Sequence, residues 1–455
     1  MSSGNSAARR APHGTSMAAS SRAIALALSI VTAACAGGNQ GPREIGPDGR
    51  PLPGYDERFK VGITTLLDDS IRLIAGKRVA IITNHTGIDE RRRRSIDLLT
   101  SDRRAVDSAV KLVRIFSPEH GISGTQDRQD IANDRDERTG LPIVSLYRRG
   151  MISPPDSLLG DIDVLLVDLQ DIGTRTWTYV GNMLYAMKAG ARNNIHVVVL
   201  DRPNPIGGDR TEGALLDTAL ADPNEPSAEN PVNGFALWPI PLRHGLTMGE
   251  LARYFHAQMK LTTRLTVVPM RGWRRQMWFD ETDMPWVRPS PNMPNLSSAL
   301  LYPALVPFER SNVSVGRGTG DPFQRFGAPW LNADSVARML DDLSLSGVRF
   351  RAERFTPDDP GDGKYPDESI PGVRIEITDR TQVQPSRVST AILWALLRMH
   401  RDQLTIEERG SDERLGSTRV REALQHGADP DAVMDRELPS VVAFEREARR
   451  FHLYR

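Results

Sequence analysis

The chain has 455 residues, 58 basic against 58 acidic side chains, 39% hydrophobic residues and a single cysteine. That length exceeds what one hydrophobic core usually supports, and the apolar content argues against a chain disordered throughout, so two folded domains are the starting expectation. Zero formal net charge supplies no overall field for nucleic acid, and one cysteine excludes an internal disulfide, a four-cysteine zinc site and a CxxC redox pair.

The first feature in chain order concerns export. Residues 1–22 are small and polar with Arg9, Arg10 and Arg22, and an uncharged run from Ala23 to Ala34 leads to Cys35. About a dozen apolar residues are too few for a hydrocarbon core that needs about 20, so the run reads as a signal peptide over residues 1–35. Ala33 and Ala34 before Cys35, with Ala36-Gly37-Gly38 after it, resemble a bacterial lipoprotein cleavage site, although Thr32 stands where leucine is usual. An ordinary secretory signal with an incidental thiol is the alternative. The expectation is an exported protein, periplasmic or at the cell surface, lipid-anchored to a membrane through Cys35. Residues 36–58, rich in Gly, Pro, Asn and Asp, read as a flexible tether.

The folded part opens with alternating strands and helices. Arg78 to Thr83, Leu112 to Phe116, Val164 to Val167 and Ile195 to Leu200 are short aliphatic runs that read as buried strands. Helical segments are predicted at Arg91 to Leu99, Thr178 to Arg192 and Met248 to Met259, the last with Thr247 and Glu250 at capping-box spacing. This alternation predicts an α/β fold: a Rossmann-like parallel sheet covered on both faces over residues 59–288. Prolines at 289, 291 and 294 interrupt regular structure. A smaller α/β domain over 289–455 is expected to complete the cleft, with a strand at Val373 to Ile377, a helix at Ser386 to Met399 and a charged helical tail.

Each of the four predicted strands ends in a polar cluster, and in open α/β sheets ligands bind outside those ends. The clusters hold Asn84 and His85, then Glu119 and His120, then Asp168, Asp171 and Arg175, then Arg202 and Asn204. Glu119, between a proline and His-Gly, suits a carboxyl tuned to act as a general acid. Asp168 and Asp171 suit a second acid or, alternatively, a helix cap and an arginine partner. No GxGxxG or GxxxxGK[ST] follows any strand, which disfavours a dinucleotide or P-loop site. The nine histidines show no HxH or HxxxH spacing, so neither metal nor cofactor is expected. The Gly-rich stretch Arg310 to Trp330 reads as a long functional loop whose Phe323, Phe326 and Trp330 could stack on a sugar, or simply pack the loop.

Taken together, ITNHTGID (82–89), FSPEHGISG (116–124), TGLPIVSLY (139–147), DLQDIGTRTWTY (168–179) and LDRPNPIGG (200–208) resemble a bacterial family long known only as a domain of unknown function. PSPNMPN (289–295), NVSVGRGTGDPF (312–323) and FGAPW (326–330) continue the likeness. The family is that of the exo-β-N-acetylmuramidases of the NamZ type. The resemblance implies a glycosidase that releases N-acetylmuramic acid from non-reducing ends of peptidoglycan fragments in cell-wall turnover. Under it, Glu119 is the acid and Asp168 or Asp171 its partner. Arg175, Arg202 or Arg317 binds the lactyl carboxylate, and Asn84, His85, His120, Asn204, Asn292 and Asn312 line the substrate. Retention, inversion or assistance by the 2-acetamido group stays open, since the carboxyl separation is a spatial quantity. Arg310 stands where the family tends to have glycine, and is expected to narrow the approach to the sugar. Two other readings use the same rim: a metal-dependent hydrolase with His85, His120, Asp168 and Asp171 as ligands, and a peptidoglycan-binding lipoprotein without turnover.

Overall fold

The computed structural model describes residues 58–127, 130–148, 152–224, 234 and 236–455. The expected signal peptide, Cys35 and the tether up to residue 57 lie outside the described residues. Nine strands come first: β1 (Arg78–Thr83), β2 (Lys111–Ser117), β3 (Asp134–Arg135), β4 (Pro142–Ser145), β5 (Val164–Asp168), β6 (His196–Leu200), β7 (Glu212–Leu215), β8 (Pro241–Arg243) and β9 (Leu265–Val268). Seven form one sheet in the order β3-β4-β2-β1-β5-β6-β9, parallel except for β3, while β7 and β8 pair separately.

Both faces of the sheet are covered, which is why β5 and β6 are buried at every position and aliphatic except at Asp168 and His196, rather than alternating with polar residues. Side chains along a strand point to opposite faces, and the two faces have different partners. Val79, Ile81, Leu166 and Val198 pack on α1 (Gly62–Asp69), α2 (Ser95–Ser101) and α3 (Arg103–Asp107). Ala80, Ile82, Val167 and Val199 pack on α4 (Thr178–Arg192) and α5 (Met248–Gln258). The predicted capping box of α5 is present, with Thr247 and Glu250 bonded reciprocally. The helix expected from Arg91 begins only at Ser95, because Asp89 accepts the backbone N–H groups of Arg91 and Arg93 and holds those residues in a turn.

The second part carries an antiparallel sheet, β10 (Arg325–Gly327), β12 (Ile370–Ile377) and β11 (Val348–Phe355) in that order, with α6 (Leu296–Leu305), α7 (Ala333–Asp342), α8 (Pro385–His400), α9 (Glu408–Leu415), α10 (Thr418–Gln425) and α11 (Pro430–Ala448). The two parts share one core: Trp177 and Tyr179 from the first pack with Tyr302 and Phe323 from the second. The tail is helical only to residue 451 and then extends back to the first part, where the Tyr454 hydroxyl donates to Asp201 Oδ2 (2.5 Å) and Leu453 N–H to Glu250 Oε1 (2.9 Å).

Strand order places the site. From β1 the chain steps outward through β2 and β4, then returns to β5 on the other side of β1, where Thr83 pairs with Asp168. The crevice belongs at that reversal, beyond the carboxyl ends of the strands.

Candidate active site

Several predicted residues at the strand ends prove to be the floor beneath the crevice. Asp168 is fully buried, and its two oxygens accept from Arg202 Nε (2.6 Å), Arg202 Nη2 (3.1 Å) and Ser95 Oγ (2.5 Å). Arg202 Nη2 also donates to the Ile88 carbonyl (3.0 Å), and the ion pair is closed off from solvent, with side-chain exposures of 1% and 0%. Asp171 accepts from Gly173 N–H (2.7 Å) and lies 3.3 Å from buried His244. Asn204 bonds the Leu246 carbonyl and Ile206 N–H as a turn brace. Arg175 donates to the carbonyls of Glu413 (2.8 Å) and Arg414 (3.0 Å), closing the last turn of α9, where a cation is favoured. These five correct the expectation that they meet substrate.

Glu119 is different. It follows β2 by two residues and is only partly buried. His120 (φ 68°) and Gly121 (φ 71°) then turn the chain through two consecutive left-handed residues, a conformation costly for His120 and typical of functional turns. Thr178, the first residue of α4, donates from Oγ1 to Glu119 Oε2 at 2.7 Å. The Tyr147 hydroxyl hydrogen-bonds the same carboxylate, and burial, followed by the charges of Glu119 and Asp127, holds the Tyr147 phenol far above its ordinary range. Tyr147 therefore stays protonated and acts as a donor.

The facing wall comes from the second part of the chain. Arg317 donates from Nε (3.0 Å) and Nη2 (2.5 Å) to Glu309 Oε1, while its Nη1 reaches Asp127 Oδ2 only at 3.5 Å. Burial alone would raise the Glu309 carboxyl, but the Arg317 and Arg414 guanidiniums outweigh it and hold Glu309 below its ordinary range. Arg414 lies 3.7 Å from the other Glu309 oxygen. Lys364 fixes the backbone of this wall, donating to the carbonyls of Phe308, Glu309 and Val313 at 3.0–3.1 Å. Asn292, in the proline-rich crossing, donates to Asp127 Oδ2 at 2.8 Å. Gly361 sits where any Cβ would overlap the Asp127 carboxylate, which explains a glycine in the β11–β12 connection.

The remaining predicted residues brace the rim. Asn84 accepts from Thr86 and donates to the Tyr179 hydroxyl (2.8 Å), which in turn bonds the Pro289 carbonyl (2.7 Å). His85 Nε2 donates to the Arg288 carbonyl (2.6 Å), and Gly124 leaves the space its ring occupies. His120 Nδ1 donates to the Gln126 carbonyl (2.8 Å). With these rings tied to carbonyls and Asp168 held by Arg202, the four proposed metal ligands form no set, and among the described residues no three His, Cys, Asp or Glu side chains gather as one. Asn312 is turned away, bonded to Gln403 and Thr405. Phe323 and Phe326 are core residues and Trp330 packs on His400, so these rings are not a stacking platform. Arg310, too, points outward, 3.7 Å from Glu407.

Sequence reading missed Tyr147, Asp127, Thr178 and Arg414. Tyr147 had a legible signal: PIVS is a fifth aliphatic run, and Tyr147 lies two residues past its end, as Glu119 lies two past β2. Asp127 and Arg414 are brought in by loop and helix packing at large sequence separation, which no local pattern encodes.

Comparison with known proteins shows the family. Residues 79–297 match the family "exo-beta-N-acetylmuramidase NamZ, N-terminal", and residues 300–454 its C-terminal counterpart. The peptidoglycan beta-N-acetylmuramidase NamZ of Bacillus subtilis is 34% identical over 410 residues, spanning 90% of this chain and 94% of that protein. Two crystal structures of DUF1343 family proteins from Bacteroides fragilis are similar. One has a TM-score of 0.77 at 34% identity and the other 0.66 at 27%, each over 88% of this chain and 99% of its own.

Proposed function

The chain belongs to the exo-β-N-acetylmuramidase NamZ family, and we propose from this that it is a glycosidase removing N-acetylmuramic acid from the non-reducing ends of peptidoglycan fragments during cell-wall turnover. The observation that carries the reading onto these residues is the gathering around one phenol of a partly exposed carboxyl and an arginine: Glu119 hydrogen-bonds Tyr147, and Arg317 lies close enough to act on its charge. Glu119 protonates the glycosidic oxygen as it leaves. Arg317 Nη1, whose one hydrogen-bond contact among the described residues is at 3.5 Å, receives the lactyl carboxylate that distinguishes muramic acid from N-acetylglucosamine. Asp168 and Asp171 have no part in the chemical step; they shape the floor.

A chromogenic aryl glycoside of N-acetylmuramic acid, with the N-acetylglucosamine analogue as control, tests the reading. Turnover of the first and little of the second is expected, and Arg317→Met should raise KM on the muramic substrate about 10- to 100-fold, the worth of one charge-assisted pair. Equal turnover of both sugars, or of neither, overturns the reading. The exported, Cys35-anchored state belongs to the same reading, supported by the uncharged run of residues 23–34 and the polar stretch after Cys35. Metabolic labelling with a palmitate analogue, abolished by Cys35→Ala, is the expected result.

A further inference from the structure

With Asp168 and Asp171 buried, the cleft needs another source for the nucleophile that meets the anomeric carbon. Glu309 is unsuited, because its carboxylate lies between Arg317 (2.5 Å) and Arg414 (3.7 Å). Asp127 is a carboxylate that lies beside Arg317 and acts on the charge of Tyr147. Asn292 and Arg317 approach its Oδ2, while Oδ1 takes no hydrogen bond among the described residues.

The order of groups along the cleft is informative. Tyr147 touches Glu119 at one end, Asp127 lies close enough to Tyr147 to act on its charge, and Asp127 touches Arg317 at the other. The substrate's edge has a matching order: the leaving oxygen on the anomeric carbon, then the acetamido group on the next carbon, then the lactyl ether on the one after. If Glu119 meets the first and Arg317 the third, the acetamido group falls between Tyr147, whose single hydroxyl proton turns from Glu119 to the acetamido oxygen once Glu119 is itself protonated, and Asp127, an acceptor. That is the complement of an amide, which offers one carbonyl oxygen and one N–H.

Resting on the muramidase reading, we propose that Tyr147 and Asp127 grip the 2-acetamido group, whose own carbonyl oxygen is the nucleophile. The acetamido oxygen bonds to the anomeric carbon while the bond to the leaving oxygen breaks. The leaving oxygen takes its electron pair and the Glu119 proton. Asp127 accepts the amide N–H, stabilising the cyclic oxazolinium or taking its proton. Water then attacks the anomeric carbon, gives its proton to Glu119, and displaces the acetamido oxygen, while the amide regains any proton lent to Asp127. One water is consumed, no electrons are transferred, and configuration is retained.

The experiment is an N-acyl series on the aryl muramide: acetyl, fluoroacetyl, difluoroacetyl and trifluoroacetyl. Fluorine weakens the carbonyl nucleophile, so kcat/KM should fall about 100-fold or more across the series, with the β-anomer formed first by proton NMR. Asp127→Asn, at an exposed position that leaves the fold intact, should lower kcat about 100-fold with little change in KM. A flat N-acyl dependence, an α-anomer first product, or full activity in Asp127→Asn overturns the proposal while leaving the muramidase reading in place. Absence of turnover on the whole series by the unsubstituted enzyme overturns both.

Discussion

Asp168 with Arg202 and Glu309 with Arg317 are built from the same chemical parts at nearly the same separation, 2.6 and 2.5 Å. They serve different ends. The first pair has side-chain exposures of 0% and 1%, and every bond it makes is to the protein, so it locks β5 to the loop after β6. The second is 11% and 20% exposed and leaves Arg317 Nη1 with a long contact. The functional groups are alike in both; what separates them is how far burial closes them off from a ligand.

The sharpest way to test that distinction is to remove charge on each side of it. Glu119→Gln keeps an acceptor for Thr178 but cannot donate a proton, so kcat/KM should drop about 10³-fold with the melting temperature unchanged. The loss should shrink on an aryl glycoside with a highly acidic phenol, since such a group leaves without protonation. Full activity with a poor leaving group would remove Glu119 from its role. Arg202→Ala should do the opposite. It strands a buried Asp168 carboxylate and should cost about 3–5 kcal/mol of stability by urea unfolding, while the fraction still folded keeps its KM. Recovery of most of that loss in Asp168→Asn with Arg202→Met would show that the pair acts through packing and saturation, not through substrate.

The strand-end rule explains how much of this was legible. The aliphatic runs identified β1, β2, β5 and β6 because strands covered on both faces are mostly apolar, and the loops after them had to form the crevice wall. Glu119 and Arg317, both named from the motifs, come together around Tyr147. The failures were Asp168, Arg175 and Arg202, which carry the same functional groups but meet partners up to 239 positions away. Polar residues at strand ends are enriched for two reasons, ligand binding and closure of the sheet, and local sequence does not separate them.

Asp201, one residue past β6, offers a gentler perturbation of the buried side. Burial pushes its carboxyl up to about 7, against the lowering effect of bonds from Tyr454, Gly249 and Thr247. The folded protein therefore holds a proton there that the unfolded chain releases near its ordinary value of 3.8, so stability falls as pH rises from about 4 to about 7. Asp201→Asn removes that decline, and its hydroxyl neighbours Tyr454 and Thr247 can turn to accept from the new amide. Melting curves across this pH interval should show the gap between variant and parent widening toward neutrality; parallel curves would place the proton elsewhere.

The smallest effect is expected where the sequence departs most visibly from its family. Arg310→Gly restores the usual residue, yet Arg310 faces Glu407 at 3.7 Å with both side chains at least half exposed, a pairing worth at most about 1 kcal/mol. Its backbone carbonyl accepts from Glu407 N–H (2.7 Å), a bond that does not depend on the side chain. The variant should therefore change kcat/KM on the muramic substrate less than twofold and stability by less than about 1 kcal/mol, most of it the added freedom of glycine in the unfolded chain. A larger gain in activity would mean that Arg310 reaches the cleft when substrate is bound, and that the outward pairing with Glu407 is only its resting position.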